Sequence, residues 1–292
     1  MATAKYEGIK YRNDQVRKVY DDLTVEEGLR ISVNGKPLTV TMRTPGDDIE
    51  LVHGLLYSED IYSDVSNPLE TILEEENSQG IVTGINVKVD SEKLGNGYKN
   101  SRSFLSVASC GICGKQDLDL PDQSASVTDA SISPDSIFQM FGSMNSKQQA
   151  FKQSGGSHAA AAFNEKGKLL SIKEDIGRHN AVDKVVGDLI LSNNLGEAKC
   201  ITVSGRISYE IIIKTFRAKI PVLAAVSAPS TLAVDFAKEL GITLLAFCRE
   251  DKLTCYSHPD RLVPSEASTP ISQTLATINS ELSTKKDVKK FK

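Results

Sequence analysis

The sequence predicts an α/β protein with a mixed, mostly parallel sheet, preceded by a smaller N-terminal α+β domain. Short apolar runs of strand length recur through the second half of the chain and alternate with helical patterns, which is typical of a sheet covered by helices on both faces. A hairpin pattern precedes these runs, so some strands are expected to be antiparallel. A chain of 292 residues is long enough for one or two domains with a substantial core.

The first domain is predicted over residues 1–128 and contains a hairpin. Leu29 to Val33 and Pro37 to Met42 are apolar runs of strand length. Between them lies Asn34-Gly35, a pair that strongly favours a type I′ turn, because both central positions of that turn need a positive φ. We therefore expect two antiparallel strands joined by a two-residue turn.

A helix and a further strand follow in the same domain. The helix is expected from about Asp48 to Ser58, with Asp47 as its N-cap and acidic residues in its first turn. Ile81 to Val89 alternates as a strand, whereas residues 90–101 are polar and are predicted to form a loop. The stretch from Asp119 to Ser133 is rich in Pro, Asp and Ser, which places the domain boundary there.

The second domain is predicted over residues 129–264 and has a more regular pattern. It should begin with a helix near Ser136 to Gln153. The expected strands are His158 to Asn164, Lys168 to Glu174, Cys200 to Val203, Val222 to Val226 and Ile242 to Cys248. The expected helices between them are Asn180 to Asn193, Ile207 to Lys219 and Thr231 to Leu240, the last with Ser230 as N-cap and Gly241 as the C′ residue.

Charge and hydropathy exclude several classes of partner. The formal net charge is −4, so no global attraction to nucleic acid or to an anionic membrane is expected. The N-terminus lacks the apolar segment of a signal peptide, and no run of 18 apolar residues occurs. We therefore expect a soluble, cytoplasmic protein with reduced thiols. The tail, residues 265–292, is predicted to be either helical or disordered.

A Cys-x-x-Cys pair, Cys110 and Cys113, is the most informative motif of the chain. Two thiols at this spacing can attack, relay sulfur or bind a soft metal. A glycine follows each cysteine, and loop-forming residues follow Lys115, so we predict that the pair lies on a loop. A structural zinc site would need two further ligands. Because no second Cys-x-x-Cys exists, we expect no protein-bound zinc.

Polar residues concentrate in four loops that follow predicted strands. In sheets with helices on both faces, ligands bind at the carboxyl ends of the strands. Three of these loops carry an arginine, namely Arg178, Arg206 and Arg249, and three guanidinium groups could converge on a phosphate or pyrophosphate. The alternative is that the arginines form ordinary ion pairs with nearby carboxylates, which are Asp175, Asp183 and Glu250.

Six motifs in this order resemble those of the formate dehydrogenase accessory sulfurtransferases. They are Arg43-Thr-Pro-Gly-Asp-Asp48, Cys110-Gly-Ile-Cys113-Gly114, Gly155-Gly-Ser-His158, Glu174-Asp-Ile-Gly-Arg-His-Asn-Ala-Val-Asp-Lys184, Ser204-Gly-Arg206 and Phe247-Cys-Arg249. The resemblance runs from about Leu29 to Val263. It implies a cytidine-deaminase-like three-layer core, a homodimer, and delivery of sulfur to a molybdenum cofactor, Mo-bis(molybdopterin guanine dinucleotide).

The resemblance also implies roles for particular residues. A cysteine desulfurase would load a persulfide on Cys110, and the sulfur would pass to the bound cofactor before formate dehydrogenase receives it. Cys113 could shield or relay the sulfur; spacing alone does not rank the two cysteines. GDP-like guanine nucleotides are expected at the cofactor site. The expected binding set is Arg178, His179, Asp183, Ser204, Gly205, Arg206, Ser227, Phe247, Cys248, Arg249, Glu250, Asp251 and Lys252.

Two other functions fit parts of the pattern. Base deamination needs His-x-Glu and a later Pro-Cys-x-x-Cys around zinc. Here His158 is followed by Ala159-Ala160, and the Cys-x-x-Cys precedes the histidine and lacks its proline, so this activity is not expected. The second alternative is a non-catalytic chaperone that binds the molybdenum cofactor for formate dehydrogenase, with Cys110 and Cys113 incidental. Replacing Cys110 by alanine would distinguish a carrier from such a chaperone.

Overall fold

The computed structural model describes residues 2–13, 15–67, 69–101 and 127–263, which form two small sheets, one large sheet and the helices that cover them. The strands are β1 (Thr3–Arg12), β2 (Gln15–Thr24), β3 (Glu27–Val33), β4 (Lys36–Arg43), β5 (Glu70–Glu76), β6 (Val82–Lys88), β7 (His158–Phe163), β8 (Leu169–Asp175), β9 (Cys200–Val203), β10 (Val222–Ala225), β11 (Thr243–Arg249) and β12 (Lys252–Ser257). The α-helices are α1 (Asp48–Ser58), α2 (Asn96–Ser101), α3 (Pro134–Lys147), α4 (Gln149–Ser154), α5 (Arg178–Leu191), α6 (Tyr209–Arg217) and α7 (Thr231–Glu239).

The large sheet has the strand order β12-β11-β10-β9-β7-β8. β9, β10 and β11 are parallel neighbours, whereas β7 and β12 run antiparallel to the strands beside them. β8 therefore points the same way as β9. The carboxyl ends of β8, β9, β10 and β11 meet at one edge of the sheet, together with the first residues of β7 and β12. The predicted α/β class and mixed sheet are confirmed.

Helices cover both faces of this sheet and give it three layers. Residues alternate along β7, so that Ala160 and Ala162 pack with α5, α6 and α7 in one apolar cluster. Ala159 and Ala161 face the opposite side and pack with α3, which contributes Met144 among others. Alternation of this kind follows from the two-residue repeat of a strand. The two clusters explain why the strands read as continuous apolar runs.

The N-terminal sheet has the order β4-β3-β6-β5 and packs against α1 around its own core. The turn between β3 and β4 is as predicted, because Asn34 and Gly35 have φ values of 51° and 74°. The Asn34 side chain also donates to the carbonyl of Val89 at 2.8 Å and accepts from its N–H at 2.9 Å. The turn residue thus ties the hairpin to the end of the neighbouring strand β6.

α1 and α5 cross in backbone contact and join the two domains. A Cβ atom added at Gly54 would lie 1.8 Å from the carbonyl oxygen of Asp183, and one added at Gly187 would lie 1.8 Å from that of Glu50. Real Cβ atoms cannot approach so closely, so only glycine permits this crossing. The N-terminal domain is therefore held against the middle of α5, a helix that starts at the carboxyl edge of the large sheet.

Three predicted features are corrected by the structure. Asp47 is not a side-chain N-cap: its backbone is left-handed, with φ 54°, and its carboxylate accepts from Lys173 Nζ at 2.7 Å. An N-cap side chain needs an extended backbone to reach the first helical N–H groups. Residues 90–101 form a short 3-10 helix and α2 rather than a loop, because Gly95 and Gly97 donate to the backbone carbonyls of Ile61 and Asp60. The helix expected near 136–153 is broken at Gln148 into α3 and α4.

Other elements were not predicted at all. β1 and β2 form a separate two-stranded hairpin, β5 is an acidic edge strand, and β12 extends the large sheet beyond β11. The tail, residues 265–292, and the Cys110–Cys113 motif lie outside the described residues. Among the residues that are described, no helix is long and apolar enough to cross a bilayer.

Candidate functional site

Four loops lie side by side at the carboxyl edge of the large sheet. The loops after β9 and β10 are joined by backbone hydrogen bonds, from Ile207 N–H to the Ala228 carbonyl at 3.1 Å and from Ser230 N–H to the Ile207 carbonyl at 2.9 Å. At the end of β11, Arg249 Nε donates to the Val226 carbonyl at 3.3 Å. The arginine-bearing loops therefore form one continuous rim, as the strand directions require.

Arg178 is the first residue of α5 and lies at the N-terminal end of that helix. Its Nε atom is buried and has no hydrogen-bond partner among the described residues. The carboxylates that could have paired with it are taken by lysines: Asp175 pairs with Lys184 at 2.8 Å, and Asp183 pairs with Lys214 at 2.8 Å. Among the described residues, no carboxylate pairs with this half-buried guanidinium. Because it also lies next to a helix N-terminus, the arrangement is suited to an anionic ligand.

Gly205 brings the loop after β9 close to the starts of β7 and α5. A Cβ atom at this position would lie 3.2 Å from His158 Nδ1 and 3.4 Å from Arg178 Cβ. Any larger residue would push these side chains apart. Gly205 thus lets His158 and Arg178 pack closely against the loop that carries the exposed Arg206.

His158 is half-buried at the first position of β7. Burial lowers its pKa, and the nearby positive charge of Arg178 lowers it further. Its imidazole is therefore expected to be uncharged at neutral pH, so that it can offer a hydrogen-bond donor and an acceptor without adding charge. The structure places this residue beside Arg178 and the loop after β9.

His179 belongs to a hydrogen-bonded group that lies beside Arg178. Its Nε2 atom is 3.1 Å from Ser208 Oγ and 3.0 Å from Glu210 Oε2, and Ser208 Oγ donates to the same carboxylate at 2.9 Å. Burial would raise the pKa of Glu210, but the hydrogen bonds from His179 and Ser208 hold it below its ordinary value. An ionised Glu210 therefore orients the His179 ring. Sequence reasoning missed Glu210, because it lies inside α6 and belongs to no motif.

The end of β11 supplies exposed groups at the other side of the rim. Phe247 occupies the left-handed region, with φ 54°, at an irregularity in the β11–β12 pairing, and its side chain is 41% exposed. Such a backbone conformation is uncommon for a bulky residue. It interrupts the regular alternation of side chains along β11. Arg249 and Lys252 are paired in register, and the exposed residues Glu250 and Asp251 form the turn between them.

Other residues of the predicted binding set have structural partners. Cys248 is 3% exposed, and burial raises the pKa of its thiol to about 12. Ser204 Oγ accepts from Ala159 N–H at 2.9 Å and so continues the pairing of β9 with β7. The Ser227 carbonyl accepts from Phe247 N–H at 3.3 Å. The side chains of Cys248 and Ser204 thus support the rim from within.

Asp183 lies apart from the rim. It is 2% exposed and faces α6, where Lys214 Nζ donates to both of its oxygens at 2.8 and 2.9 Å. Burial alone would lower the pKa of Lys214, but the carboxylates of Asp183 and Glu59 raise it above its ordinary value. Asp183 therefore pairs with a lysine and not with one of the three arginines, as the ion-pair alternative considered from sequence would have required.

Asp175 is also structural, and it links the two domains. Its Oδ2 atom accepts from Thr44 N–H at 3.1 Å, and Lys184 Nζ donates to the Thr44 carbonyl at 2.8 Å. Asn180 Nδ2 donates to the Met42 carbonyl at 2.7 Å and to Asp175 Oδ1 at 3.1 Å. The motif around α5 and the motif after β4 are thus joined by one buried network.

The rim suits a phosphate-bearing ligand with an aromatic base. Guanidinium groups and the N-terminus of α5 favour phosphate oxygens, while an exposed aromatic ring offers a stacking surface. The residues that supply these groups are Arg178, Arg206, Arg249 and Phe247. Within the described ranges, no three His, Cys, Asp or Glu side chains lie close enough to hold a metal ion.

Comparisons with known proteins agree with the motifs. The sequence profile of the FdhD/NarQ family matches residues 24–263. A protein of Mycobacterium tuberculosis named sulfur carrier protein FdhD is 42% identical over 260 residues, which cover 85% of this chain and 94% of that protein. A protein of the same name from Sulfolobus acidocaldarius is 40% identical over 243 residues, covering 83% and 91%. The crystal structure of a protein assigned as a formate dehydrogenase accessory protein, from Desulfotalea psychrophila, superposes with a TM-score of 0.72 at 21% identity, covering 90% of this chain and all of that one.

Proposed function

Because the chain belongs to the FdhD/NarQ family, we propose that it carries persulfide sulfur from a cysteine desulfurase to a molybdenum cofactor destined for formate dehydrogenase. The names of its relatives support a sulfur-carrying role, and the predicted family membership is confirmed. The donor, the acceptor and the persulfide are the parts that we propose. We also propose that the working form is a homodimer in the cytoplasm.

The loading step needs one reactive thiol. The thiolate of Cys110 attacks the outer sulfur of the desulfurase persulfide, so that one S–S bond forms while another breaks and the desulfurase cysteine leaves as a thiolate. No oxidant is consumed. The thiols within the described ranges are poorly suited to this role, because burial raises the pKa of Cys248 to about 12 and that of Cys255 to about 11, and it also raises that of Cys200. The choice of Cys110 as the carrier, with Cys113 as its shield or relay, rests on the family resemblance.

The acceptor is proposed to bind at the rim. The observation that supports this best is Arg178, whose buried Nε at the start of α5 has no hydrogen-bond partner in the described part of the chain. Arg206 and Arg249 would share the diphosphate charge, and Phe247 would stack on a guanine base. The bound cofactor would supply the metal site for the sulfur, and the role of this chain would be to hold the nucleotide parts through Arg178, Arg206, Arg249 and Phe247.

Sulfur loading is tested by intact-mass spectrometry after incubation with a cysteine desulfurase and cysteine. We expect a gain of about one sulfur atom per chain that maps to the peptide containing Cys110. Cys110→Ala should abolish the gain, whereas Cys255→Ala should retain it, because Cys255 is half-buried with a raised pKa. A Cys110→Ala protein that is still loaded, or a wild type that is never loaded, would exclude the proposed carrier.

Nucleotide binding is tested separately by thermal shift and calorimetry with GDP and ADP. GDP should stabilise the folded protein more than ADP, since a ligand stabilises the state that binds it. Arg178→Ala should weaken GDP binding by about 1.5–3 kcal/mol if its guanidinium bonds to phosphate. Arg17→Ala, an exposed arginine far along β2, is the matched control and should bind normally. Equal shifts with GDP and ADP would refute the guanine preference.

The chaperone alternative makes the opposite prediction for activity in cells. A Cys110→Ala protein that binds GDP and still supports full formate dehydrogenase activity would be a cofactor-binding chaperone. A Cys110→Ala protein that binds GDP but supports no formate dehydrogenase activity would agree with the sulfur-carrier hypothesis and contradict the chaperone hypothesis. The two experiments together separate a failure of sulfur transfer from a failure of binding.

A further inference from the structure

Of the four histidines in the chain, His158 is the one whose ring forms no hydrogen bond with the residues that the structure describes. The other three rings have partners, which are the Ile49 carbonyl for His53, Ser208 Oγ for His179 and the Lys238 carbonyl for His258. His158 is half-buried at the first position of β7. A polar ring that is partly shielded from water and has no protein partner is suited to a contact with a ligand.

The His158 ring and the Arg178 side chain flank the same point beside Gly205. A Cβ atom added to Gly205 would lie 3.2 Å from His158 Nδ1 and 3.5 Å from Arg178 Cδ. Arg178 Nε is buried and has no hydrogen-bond partner in the described part of the chain. Two groups that can donate to an oxygen atom therefore lie together at the start of α5 without a described partner.

The charged and titratable groups around His158 belong to three elements that meet at the rim. They are Glu174 and Asp175 on β8, Arg178 and His179 on α5, and Arg206 in the loop after β9. Both carboxylates are engaged elsewhere: Asp175 pairs with Lys184 at 2.8 Å, and Glu174 accepts from two backbone N–H groups of α4, each at 2.8 Å. Burial, together with the charge of Arg178, keeps the pKa of His158 below its ordinary value. The ring is therefore neutral when no anion is bound.

A diphosphate bound at the rim would reverse this balance. Its negative charge would offset the charges of Arg178 and Arg206 and would lie beside the His158 ring. An opposite charge within about 4–6 Å favours the charged form of a titratable group and typically moves its pKa by about 1–3. For a histidine the direction is upward, so the imidazole becomes easier to protonate once the anion is present.

We propose that His158 is a further binding residue of the rim and that it takes up a proton from solvent when a diphosphate binds beside Arg178. The new N–H bond forms on the ring nitrogen that carries no hydrogen in the neutral imidazole, and the imidazolium donates a hydrogen bond to a phosphate oxygen. By thermodynamic linkage the ligand then binds more tightly as the pH falls. The inference rests on the proposed nucleotide site, but it is independent of sulfur transfer.

The test uses the full chain and GDP-mannose, in which both phosphates are esterified. A terminal phosphate, as in GDP, takes up its own proton at about pH 6, whereas the esterified diphosphate does not titrate in this range. A proton gained on binding therefore belongs to the protein. Isothermal titration calorimetry at pH 6.5, in two buffers that differ in ionisation enthalpy, should show net proton uptake. The affinity should be about fivefold or more greater at pH 5.5 than at pH 8.0.

His158→Asn keeps a polar side chain that does not titrate. This variant should bind GDP-mannose as the wild type does at pH 8.0, and it should lose both the proton uptake and the gain in affinity at pH 5.5. His258→Asn is the matched control, because His258 follows β12 at the opposite edge of the sheet, and it should retain both effects. Circular dichroism at each pH confirms that the variants are folded.

The outcomes separate this inference from the proposal on which it rests. If GDP-mannose does not bind at any pH, the nucleotide site is refuted, and the role of His158 with it. If GDP-mannose binds equally well at pH 5.5 and pH 8.0, or if His158→Asn retains the gain in affinity, the nucleotide site stands and the role of His158 is refuted.

Discussion

Single residues at the start of α5 serve two different parts of the molecule. Arg178 and His179 face the rim at the carboxyl edge of the sheet, whereas Asn180 and Lys184 bond to the backbone of the N-terminal domain. This division follows from the 3.6-residue turn of a helix, which sends neighbouring residues in different directions. The sequence predicted a polar cluster here, but it could not predict which members bind a ligand, because the partners Met42 and Thr44 lie far away along the chain.

Also at the residue scale, the environment of His53 leads us to expect that the free energy of unfolding falls in acid. Its Nδ1 atom donates to the Ile49 carbonyl at 2.8 Å, its Nε2 atom is buried without a partner among the described residues, and burial lowers its pKa from 6.5. The unfolded chain therefore takes up the proton at higher pH than the native protein does. The stabilisation is complete above about pH 6.5 and is lost as the pH falls through the lowered native pKa.

Urea unfolding at pH 7.5 and pH 5.5 measures this effect. The free energy of unfolding of the wild type should be smaller at pH 5.5, and His53→Gln should reduce the difference between the two pH values because glutamine does not titrate. His158, whose pKa is also lowered by burial, should account for part of what remains. An undiminished difference in His53→Gln would show that His53 does not contribute.

At the scale of elements, the crossing of α1 and α5 depends on two glycines. The carbonyl groups of Asp183 and Glu50 occupy the space where Cβ atoms would lie at Gly54 and Gly187. Neither helix can move away without opening the interface between the two domains. The sequence pattern predicted both helices with nearly correct bounds, but a glycine inside a helix pattern does not reveal which other helix approaches it.

We expect Gly54→Ala to destabilise the protein by about 1–3 kcal/mol or more, because the added methyl group overlaps a backbone carbonyl of α5. Gly142→Ala is the matched control. Gly142 lies on α3 with no atom within 4 Å of an added Cβ, so alanine there should be neutral or stabilising by about 0.5–1 kcal/mol. Chemical denaturation of both variants checks the pair, and equal effects would contradict the contact described above.

Helices and strands of this protein differ in how well their own residues predict them. The β3–β4 hairpin was predictable because Asn34-Gly35 has few alternatives to a type I′ turn. β5 was missed because an acidic strand lacks the alternation of a half-buried sheet, and its place depends on pairing with β6. The break at Gln148 was missed because the apolar pattern continues across it. Local chemistry predicted turns and caps such as Ser230, whose side chain accepts from Ala233 N–H at 3.1 Å, and tertiary pairing decided the rest.

For the molecule as a whole, the buried network around Asp175 joins two separate cores. Lys184 is 1% exposed and contacts both Asp175 of the large sheet and the Thr44 carbonyl of the N-terminal domain. Removing one partner of a buried ion pair typically costs about 3–5 kcal/mol. Because this network belongs to both domains, the loss of one partner should destabilise both domains together.

The prediction is a single thermal transition for the wild type, and a single transition at lower temperature for Lys184→Met. Differential scanning calorimetry, with comparison of calorimetric and van't Hoff enthalpies, measures whether the domains unfold together. Lys147→Met, an exposed lysine on α3, should leave the melting temperature nearly unchanged. Two resolved transitions in the wild type would contradict the coupling.

The family and the α/β class could be predicted from sequence because six short motifs occur in order and the apolar runs have strand length. The rim could be predicted because loops after parallel strands must meet at one edge. Asp183 in the binding set, by contrast, came from its position in a motif, and only the packing of α6 against α5 shows that Lys214 takes its carboxylate.

Residues of α5 contribute both to the rim and to the contact with the N-terminal domain, so variants in this helix should lose activity for two different reasons. In a complementation screen, inactive variants at Asp175, Asn180 or Lys184 should be recovered because little folded protein accumulates in the cell. Inactive variants at Arg178 should accumulate to normal protein levels, because they lose ligand binding and not stability. The ratio of activity to the amount of protein on a blot therefore separates the residues of this motif that are needed for stability from those that are needed for ligand binding.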